Sequence, residues 1–162
     1  MQQGPWKFVI YLPPKGAARP RSSVQNDEVH VYPEQATENW KATVSWVAAK
    51  ALPREILEGP VRVTIVALVP RPKKLCERRK DGTLKCGEEG ILWTISLPDH
   101  DNILKVVYDG MKSIWRDDRQ VCLAYFAKCY AEIDGRPRVI VEVDRCSAEV
   151  PAFIKAFAAS AG

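Results

Sequence analysis

The chain has 162 residues, of which 46% are hydrophobic and 27% charged, so it contains enough apolar material for one folded domain and is not disordered by composition. The longest strongly apolar run, residues 63–69, is far too short to span a bilayer, and the N-terminus lacks the basic-then-apolar pattern of a secretion signal. The formal net charge of +4 permits a nucleic-acid partner without requiring one. We therefore expect a cytoplasmic protein without a membrane segment.

Hydrophobic periodicity predicts strand, helix and strand in the first half of the chain. Residues 7–12 form a short strand that ends at two prolines, and residues 15–31 are polar and basic, as in a loop. Apolar residues recur at helical spacing over 34–51. The β-branched run 61–69 is typical of a mostly buried strand.

The second half begins with a basic segment, 70–90, which contains a turn at Asp81-Gly82. The pattern then predicts a short strand over 91–95 and a helix over about 102–114. Two strands, 121–131 and 138–143, are predicted to form a hairpin that turns at Asp134-Gly135, and a C-terminal helix is predicted over about 150–157. We expect the last helix to pack on its own sheet, with a subunit interface as the alternative. The fold class is therefore a single α+β domain with a mixed β-sheet and packed helices.

The five cysteines are consistent with a reducing compartment. Their number is odd and their spacing follows no disulfide framework. Cys76 and Cys86 flank a charged loop, but no CxxC pair or nearby histidine completes a zinc site. Cys122 and Cys129 lie in an apolar segment, where we expect buried, reduced thiols.

Basic residues form two clusters that suit contacts with phosphate groups. Residues 71–85 include seven basic and two acidic side chains, and a smaller cluster precedes the first predicted helix. The candidate DNA-binding residues are Lys15, Arg19, Arg21, Lys73, Lys74, Arg78, Arg79 and Lys80. A solvated loop explains the larger cluster without DNA, so that alternative stays open.

Two aspartates, Asp99 and Asp101, directly precede the second predicted helix. In an extended segment their side chains lie on one side, and hard oxygen ligands of this kind suit Mg²⁺ or Mn²⁺. Capping of the helix explains one aspartate without a metal but not the second, so both interpretations stay open. Lys105 follows Asp101 by one helical turn; it belongs either to a solvated ion-pair stripe with Asp109 and Lys112 or, beside a metal, to a phosphate site.

A second acidic pair, Asp117-Asp118, follows the predicted helix and is typical of a surface turn. Whether it reaches back to Asp99 depends on tertiary packing, which spacing does not show. Taken together, the two segments resemble the RusA family of Holliday-junction resolvases, in which D-x-D-N-x-x-K is followed by a helix containing Asp and then by a hydrophobic-W-x-D-D-x-Q-V segment. Here the motifs are Asp99 to Lys105 and Ile114 to Val121, with Asp109-Gly110 between them.

The resemblance covers about residues 7–145 and implies a RusA-like nuclease domain over 1–145, followed by a helical tail over 146–162. It implies that Asp99, Asp101 and Asp118 are catalytic and hold the metal, with Lys105 as the motif lysine. It also implies a homodimer that cuts four-way DNA junctions by paired symmetric nicks and requires Mg²⁺, for which Mn²⁺ substitutes. Two alternatives remain: a nuclease for other branched or flap DNA, and a DNA-binding module without catalysis.

Overall fold

The computed structural model describes residues 4–18, 21–25, 28–32 and 34–160, and over 21–25 and 28–32 it describes the backbone. These residues form seven strands and three α-helices. In chain order they are β1 (Trp6–Ile10), β2 (Arg21–Gln25), β3 (Glu28–Tyr32), α1 (Gln35–Ala51), β4 (Val61–Val69), β5 (Leu92–Trp93), α2 (His100–Gly110), β6 (Val121–Tyr130), β7 (Arg138–Arg145) and α3 (Ala152–Ala159).

Five strands form one mixed sheet in the order β1-β7-β4-β6-β5, while β2 and β3 pair in a separate antiparallel ribbon. The central strand β4 runs parallel to β6 and antiparallel to β7. Its alternate residues Val63 and Ile65 are buried and stand opposite the buried Val143 and Val141 of β7. Because side chains alternate across a strand, this burial fixes the register of the sheet. The expected α+β domain with a mixed sheet is confirmed.

Helices α1 and α2 contribute apolar stripes to the same core. The stripe of α1 includes Trp40, Val44 and Ala48, which recur every four residues as a helix requires. Helix α2 buries Ile103, Val106 and Val107 in the same cluster. This packing holds α2 against the sheet, and the acidic segment lies where α2 begins. None of the helices that the structure describes is both long and apolar enough to cross a membrane.

Several predicted elements are confirmed, but two assignments of strands are wrong. The strand over 61–69 has the predicted bounds, and the first long helix differs by one residue at its start. The segment 15–31 is not a continuous loop, because β2 and β3 lie within it. The strands on either side of Asp134-Gly135 do not form a hairpin, since β4 lies between them and pairs with both.

Two further expectations about packing are corrected. Helix α3 has no buried residue, and Phe153 and Phe157 are 57% and 78% exposed, so this helix adds nothing to the buried core; its partly buried Ile154 lines a cleft with residues of β4, β6 and β7. The five cysteines are free, as expected, and Cys129 is buried. Cys122, however, is exposed, because it lies at the start of β6, where the pairing with β4 is irregular.

Candidate active site

Asp99 stands at the N-cap position of α2 without capping the helix. Its backbone is extended and its carbonyl oxygen accepts a hydrogen bond from the Ile103 amide at 3.1 Å, but its side chain makes no cap hydrogen bond. Asp101 lies in the first turn of the helix, and both side chains are exposed. Because α2 starts at His100, the chain is not extended through both residues, and the shared side that an extended segment would give them does not apply. Helix capping, the simpler interpretation of Asp99, therefore does not account for its carboxylate, which makes no hydrogen bond to the helix end.

The turn before Asp99 is fixed from two sides. On one side Gly16 approaches Pro98 so closely that a Cβ at Gly16 would lie 2.8 Å from the Pro98 Cβ, and the Ala17 amide donates to the Asn102 carbonyl at 3.1 Å. On the other side Lys128 of β6 donates hydrogen bonds to the carbonyl oxygens of Ser96 and, at 3.1 Å, Pro98. Sequence reasoning missed Lys128; its only signal is a lysine within an otherwise apolar strand.

Lys105 is exposed on α2, and no ion pair between described residues includes it. The ion-pair stripe expected along the helix is present only at its far end, where Asp109 pairs with Lys41 and with Lys112, both at 3.1 Å. Partial burial by itself raises the pKa of Asp109, but the hydrogen bonds and charges of Lys41 and Lys112 together outweigh it and lower the pKa. Asp109 thus joins α2 to α1, while the ammonium of Lys105 stays available to an anionic ligand.

Gln120 anchors the second acidic segment. Its Oε1 accepts from the amide of Arg116 at 2.8 Å and from that of Asp117 at 3.3 Å, and its Nε2 donates to the carbonyls of Leu57 and Gly59, both at 2.9 Å. One side chain therefore ties the turn after α2 to the loop before β4. The glutamine of the D-D-x-Q motif has a structural explanation on this chain.

The two acids of the pair have different surroundings. Asp117 accepts hydrogen bonds from the Arg119 amide at 2.8 Å and from the Arg119 guanidinium at 2.9 and 3.0 Å. The Arg119 side chain, and then its backbone amide, lower the pKa of Asp117 to about 2. Asp118 begins a short 3₁₀ turn, Asp118–Gln120, and is exposed. Asp117 is thus committed to the turn, and Asp118 is the acid that the turn presents to solvent.

The position of Asp118 relative to α2 is indicated by Tyr108. Burial of the Tyr108 side chain raises the pKa of its phenol, and the negative charge of Asp118 adds to that effect. Tyr108 lies two helical turns after Asp101 and on the same helix face. Among the described residues, however, no group of three or more His, Cys, Asp and Glu side chains is arranged to hold a metal ion. The structure thus does not gather Asp99, Asp101 and Asp118 into one cluster.

The candidate DNA-binding residues fall into distinct groups. Lys15 lines the cleft beside Asp99 and pairs with Glu34 at 2.9 Å. Arg19 lies outside the described residues, and Arg21 is described only as part of the backbone of β2. Exposed lysines without an ion pair to any described residue are Lys73, Lys74 and Lys80.

The two arginines of the basic loop brace it from within. Arg78 pairs with Glu89 at 2.8 Å, and Arg79 donates to the Leu84 carbonyl at 2.8 Å. Arg71, at the base of the loop, donates to the carbonyl of Ala131 at 2.9 Å and to carbonyls within 88–90. The loop is therefore a folded ribbon on the protein surface. The three exposed lysines named above have no ion pair to a described residue, and both arginines keep N–H donors that no described hydrogen bond uses.

The fold and the site together define a class: a single α+β domain with exposed carboxylates at the start of a packed helix. The sequence profile described as Endodeoxyribonuclease RusA matches residues 12–144. The chain is also 34% identical over 143 residues to "Uncharacterized protein YqaN" of Bacillus subtilis (strain 168), an alignment that covers 88% of this chain and 97% of that relative. The chain belongs to the RusA endodeoxyribonuclease family, whose nucleases are generally metal-dependent.

Proposed function

We propose that this protein is a Mg²⁺-dependent endonuclease that resolves four-way DNA junctions by two symmetric nicks. The observation that carries the proposal is the carboxylate of Asp99: it stands at the N-cap of α2 but makes no cap hydrogen bond, and it is exposed beside Asp101. An exposed carboxylate that neither caps the helix nor pairs with a basic side chain among the described residues is open to a cation from solution. In a family of endodeoxyribonucleases a divalent cation is the partner that fits it best.

The donor chemistry supports a hard cation. Asp99, Asp101 and Asp118 offer exposed carboxylate oxygens, which Mg²⁺ and Mn²⁺ prefer, and we assign all three as ligands. A divalent ion bound there would lower the pKa of a coordinated water and neutralise charge on the scissile phosphate. Bringing Asp118 to the other two acids requires an adjustment of the turn that Gln120 anchors, because the acids are not gathered beforehand.

The protein's own groups supply the rest of the reaction. Lys105 is the motif lysine, exposed and without an ion pair to a described residue, and we assign it to a non-bridging phosphate oxygen as charge develops there. Asp117 is excluded from this set because Arg119 holds its carboxylate in the turn. The products expected from attack of water in line with the leaving oxygen are a 5′-phosphate and a 3′-hydroxyl.

Contacts outside the reacting centre would provide affinity. We assign the candidate residues Lys15, Arg19, Arg21, Lys73, Lys74, Arg78, Arg79 and Lys80 to phosphates of the junction arms. The support for the loop members is their exposure, since a cation at the protein surface can reach a phosphate and release a counterion from the DNA. We assign the nuclease domain to residues 1–145 and treat 146–162 as a helical tail.

A homodimer suits the substrate, because two equivalent sites related by a two-fold axis match the symmetry of a four-way junction. The chain offers apolar surface for such an interface. Four large apolar side chains, at every second position on and around the edge strand β5, are exposed: Ile91, Trp93, Ile95 and Leu97. Phe153 and Phe157 of α3 add to the exposed apolar surface. Light scattering should show a species of twice 18.2 kDa at micromolar concentration; a fully active monomer would refute the dimer.

The experiment that tests the function is cleavage of a synthetic four-way junction with Mg²⁺, with Mn²⁺ and with chelator. The matched substrates are a flap, a splayed arm and a linear duplex of the same sequence. We expect paired nicks at symmetric positions of the junction, only with metal, and preferred over the other substrates in competition. Preference for the flap would replace the substrate assignment, and tight junction binding without cleavage under any metal would indicate a binding module.

A further inference from the structure

Lys128 is a charged side chain near the C-terminal end of β6, the second strand from one edge of the sheet. It lies on β6, whose residues from 126 to 130 are partly or fully buried, and it is itself only partly exposed. No ion pair between described residues includes it; instead its Nζ donates to the carbonyls of Ser96 and Pro98, some thirty residues earlier in the chain. An ammonium group has three donors, so one remains uncommitted. A partly buried cation held by backbone carbonyls alone requires an explanation.

The two carbonyls identify what Lys128 holds. Ser96 and Pro98 are the residues that lead directly into Asp99, so their backbone direction sets where the Asp99 carboxylate points. Phe126, two residues before Lys128 and on the same side of β6, contacts the ring of His100 with centroids 5.9 Å apart. Strand β6 is thus one wall of the acidic turn, and its contacts fall on both sides of Asp99.

Gly16 and Ala17 hold the acidic turn through contacts other than those of β6. The close approach of Gly16 to Pro98 leaves no room for the turn to move away from β6 on that side. A backbone hydrogen bond from Ala17 to Asn102 holds the same segment against α2. The turn before Asp99 is therefore held by Gly16 and Ala17 as well as by Lys128, and it loses its hydrogen bonds to β6 when Lys128 is removed.

We propose that Lys128 is a positioning residue of the active site: its ammonium group fixes the backbone of the turn before Asp99 and so orients the Asp99 carboxylate. The inference rests on the proposed function of Asp99. Groups that orient the ligands of a metal site typically change metal affinity or activity by about 10- to 100-fold when they are removed.

The test compares three variants of the full chain. Lys128→Met keeps the length of the aliphatic stem and removes the donor. Lys128→Arg restores donors of the same charge. Lys7→Met is the matched control, since it makes the same substitution at an exposed position of strand β1. Each variant is measured by hydrogen exchange of the segment 94–103, by Mn²⁺ titration followed through the signal of the free ion, and by junction cleavage over a Mg²⁺ titration.

For Lys128→Met we expect exchange in 94–103 to accelerate about tenfold or more while the central strands β4 and β7 stay protected. The Mn²⁺ affinity should fall, and the Mg²⁺ concentration for half-maximal cleavage should rise, by about 10- to 100-fold. Junction affinity without metal should stay unchanged. Lys128→Arg should recover most of each property, and Lys7→Met should match the wild type in all of them.

Other outcomes would overturn the positioning role. Unchanged exchange in 94–103, or an unchanged Mg²⁺ requirement, would show that Lys128 does not hold the turn. Loss of junction affinity, with a salt dependence shallower by about 0.9 in log–log slope, would show that Lys128 contacts a phosphate instead. If Lys128→Met does not fold, Lys128→Leu, which also removes the donor, carries the same comparison. A wild type that cuts no junction would refute the proposed function alone, because exchange requires no substrate.

Discussion

Substitution of Gly110 by alanine should destabilise the protein through the contact between its two core helices. A Cβ at Gly110, the last residue of α2, would lie 2.6 Å from the Cβ of Val44 and 2.9 Å from the carbonyl oxygen of Lys41. Non-bonded carbon atoms prefer about 3.5–4.0 Å, so α1 and α2 would have to separate by about 1 Å. Val44 is fully buried and the Lys41 oxygen belongs to the backbone, so no side-chain rotation relieves the clash.

Overpacking of this kind costs about 1–3 kcal/mol, and a clash with helix backbone falls at the upper end of that range. Alanine recovers at most about 1 kcal/mol of helix propensity over glycine, so we expect a net loss of about 2 kcal/mol. With a urea m-value of about 2 kcal/mol/M, the unfolding midpoint should fall by about 1 M.

Gly90→Ala is the control, because a Cβ there meets no atom within 4 Å and its stability should stay within about 0.5 kcal/mol of wild type. Equal stability of Gly110→Ala and Gly90→Ala would refute the close approach of the two helices. It would also remove the argument that α1 fixes the helix that carries Asp101.

The remaining predictions concern the turn after α2 and the basic loop. Gln120→Glu keeps the acceptor for two amides but replaces two donated hydrogen bonds with an anion that faces two carbonyl oxygens. We expect the free energy of unfolding in urea to fall by about 1–3 kcal/mol; an unchanged midpoint would show that Gln120 does not anchor the turn. Arg119 lowers the pKa of Asp117 to about 2 from 3.8, so the ionised carboxylate should stabilise the folded state above pH about 4 and stop doing so as the pH falls to about 2. The difference in Tm between wild type and Asp117→Asn, measured at low salt, should therefore vanish over that interval. Replacing residues 78–80 by alanine should shallow the salt dependence of junction binding by up to about 0.9 in log–log slope for each phosphate that the loop no longer neutralises, and an unchanged slope would favour a solvated loop.

The sequence predicts best where burial alone decides the structure. The nine residues of β4 and the helix α1 are recognised from apolar periodicity, since a mostly buried strand and an amphipathic helix each produce a local pattern in the sequence. The order of strands leaves no such signature. The turn at Asp134-Gly135 is typical of a hairpin, yet β4 lies between β6 and β7 and pairs with both. These pairings join residues that are sixty or more positions apart in the sequence.

The candidate site shows the same division. Motif spacing selects Asp99, Asp101 and Asp118 as candidates, but it does not show that α2 already begins at His100, between the first two. Spacing says nothing of Gln120 as an anchor, because its partners belong to the loop before β4. It misses Lys128 entirely, since the hydrogen bonds that explain this lysine join residues about thirty positions apart.

The central claim is that exposed aspartates at α2 and at the following turn hold the metal that cuts DNA, and one paired measurement tests it most directly. Asp118→Asn and Asp117→Asn are compared with wild type in a cleavage time course and a gel-shift titration on one four-way junction with Mg²⁺. Asp→Asn keeps the shape of the side chain and replaces an anionic ligand with a weaker neutral one, so Asp118→Asn should lose about 10³-fold or more in cleavage rate while its junction affinity stays equal or rises. Asp117→Asn should retain most of the rate, because its carboxylate is engaged with Arg119. A folded Asp118→Asn that cuts at the wild-type rate, or that loses binding and cutting together, would contradict the claim.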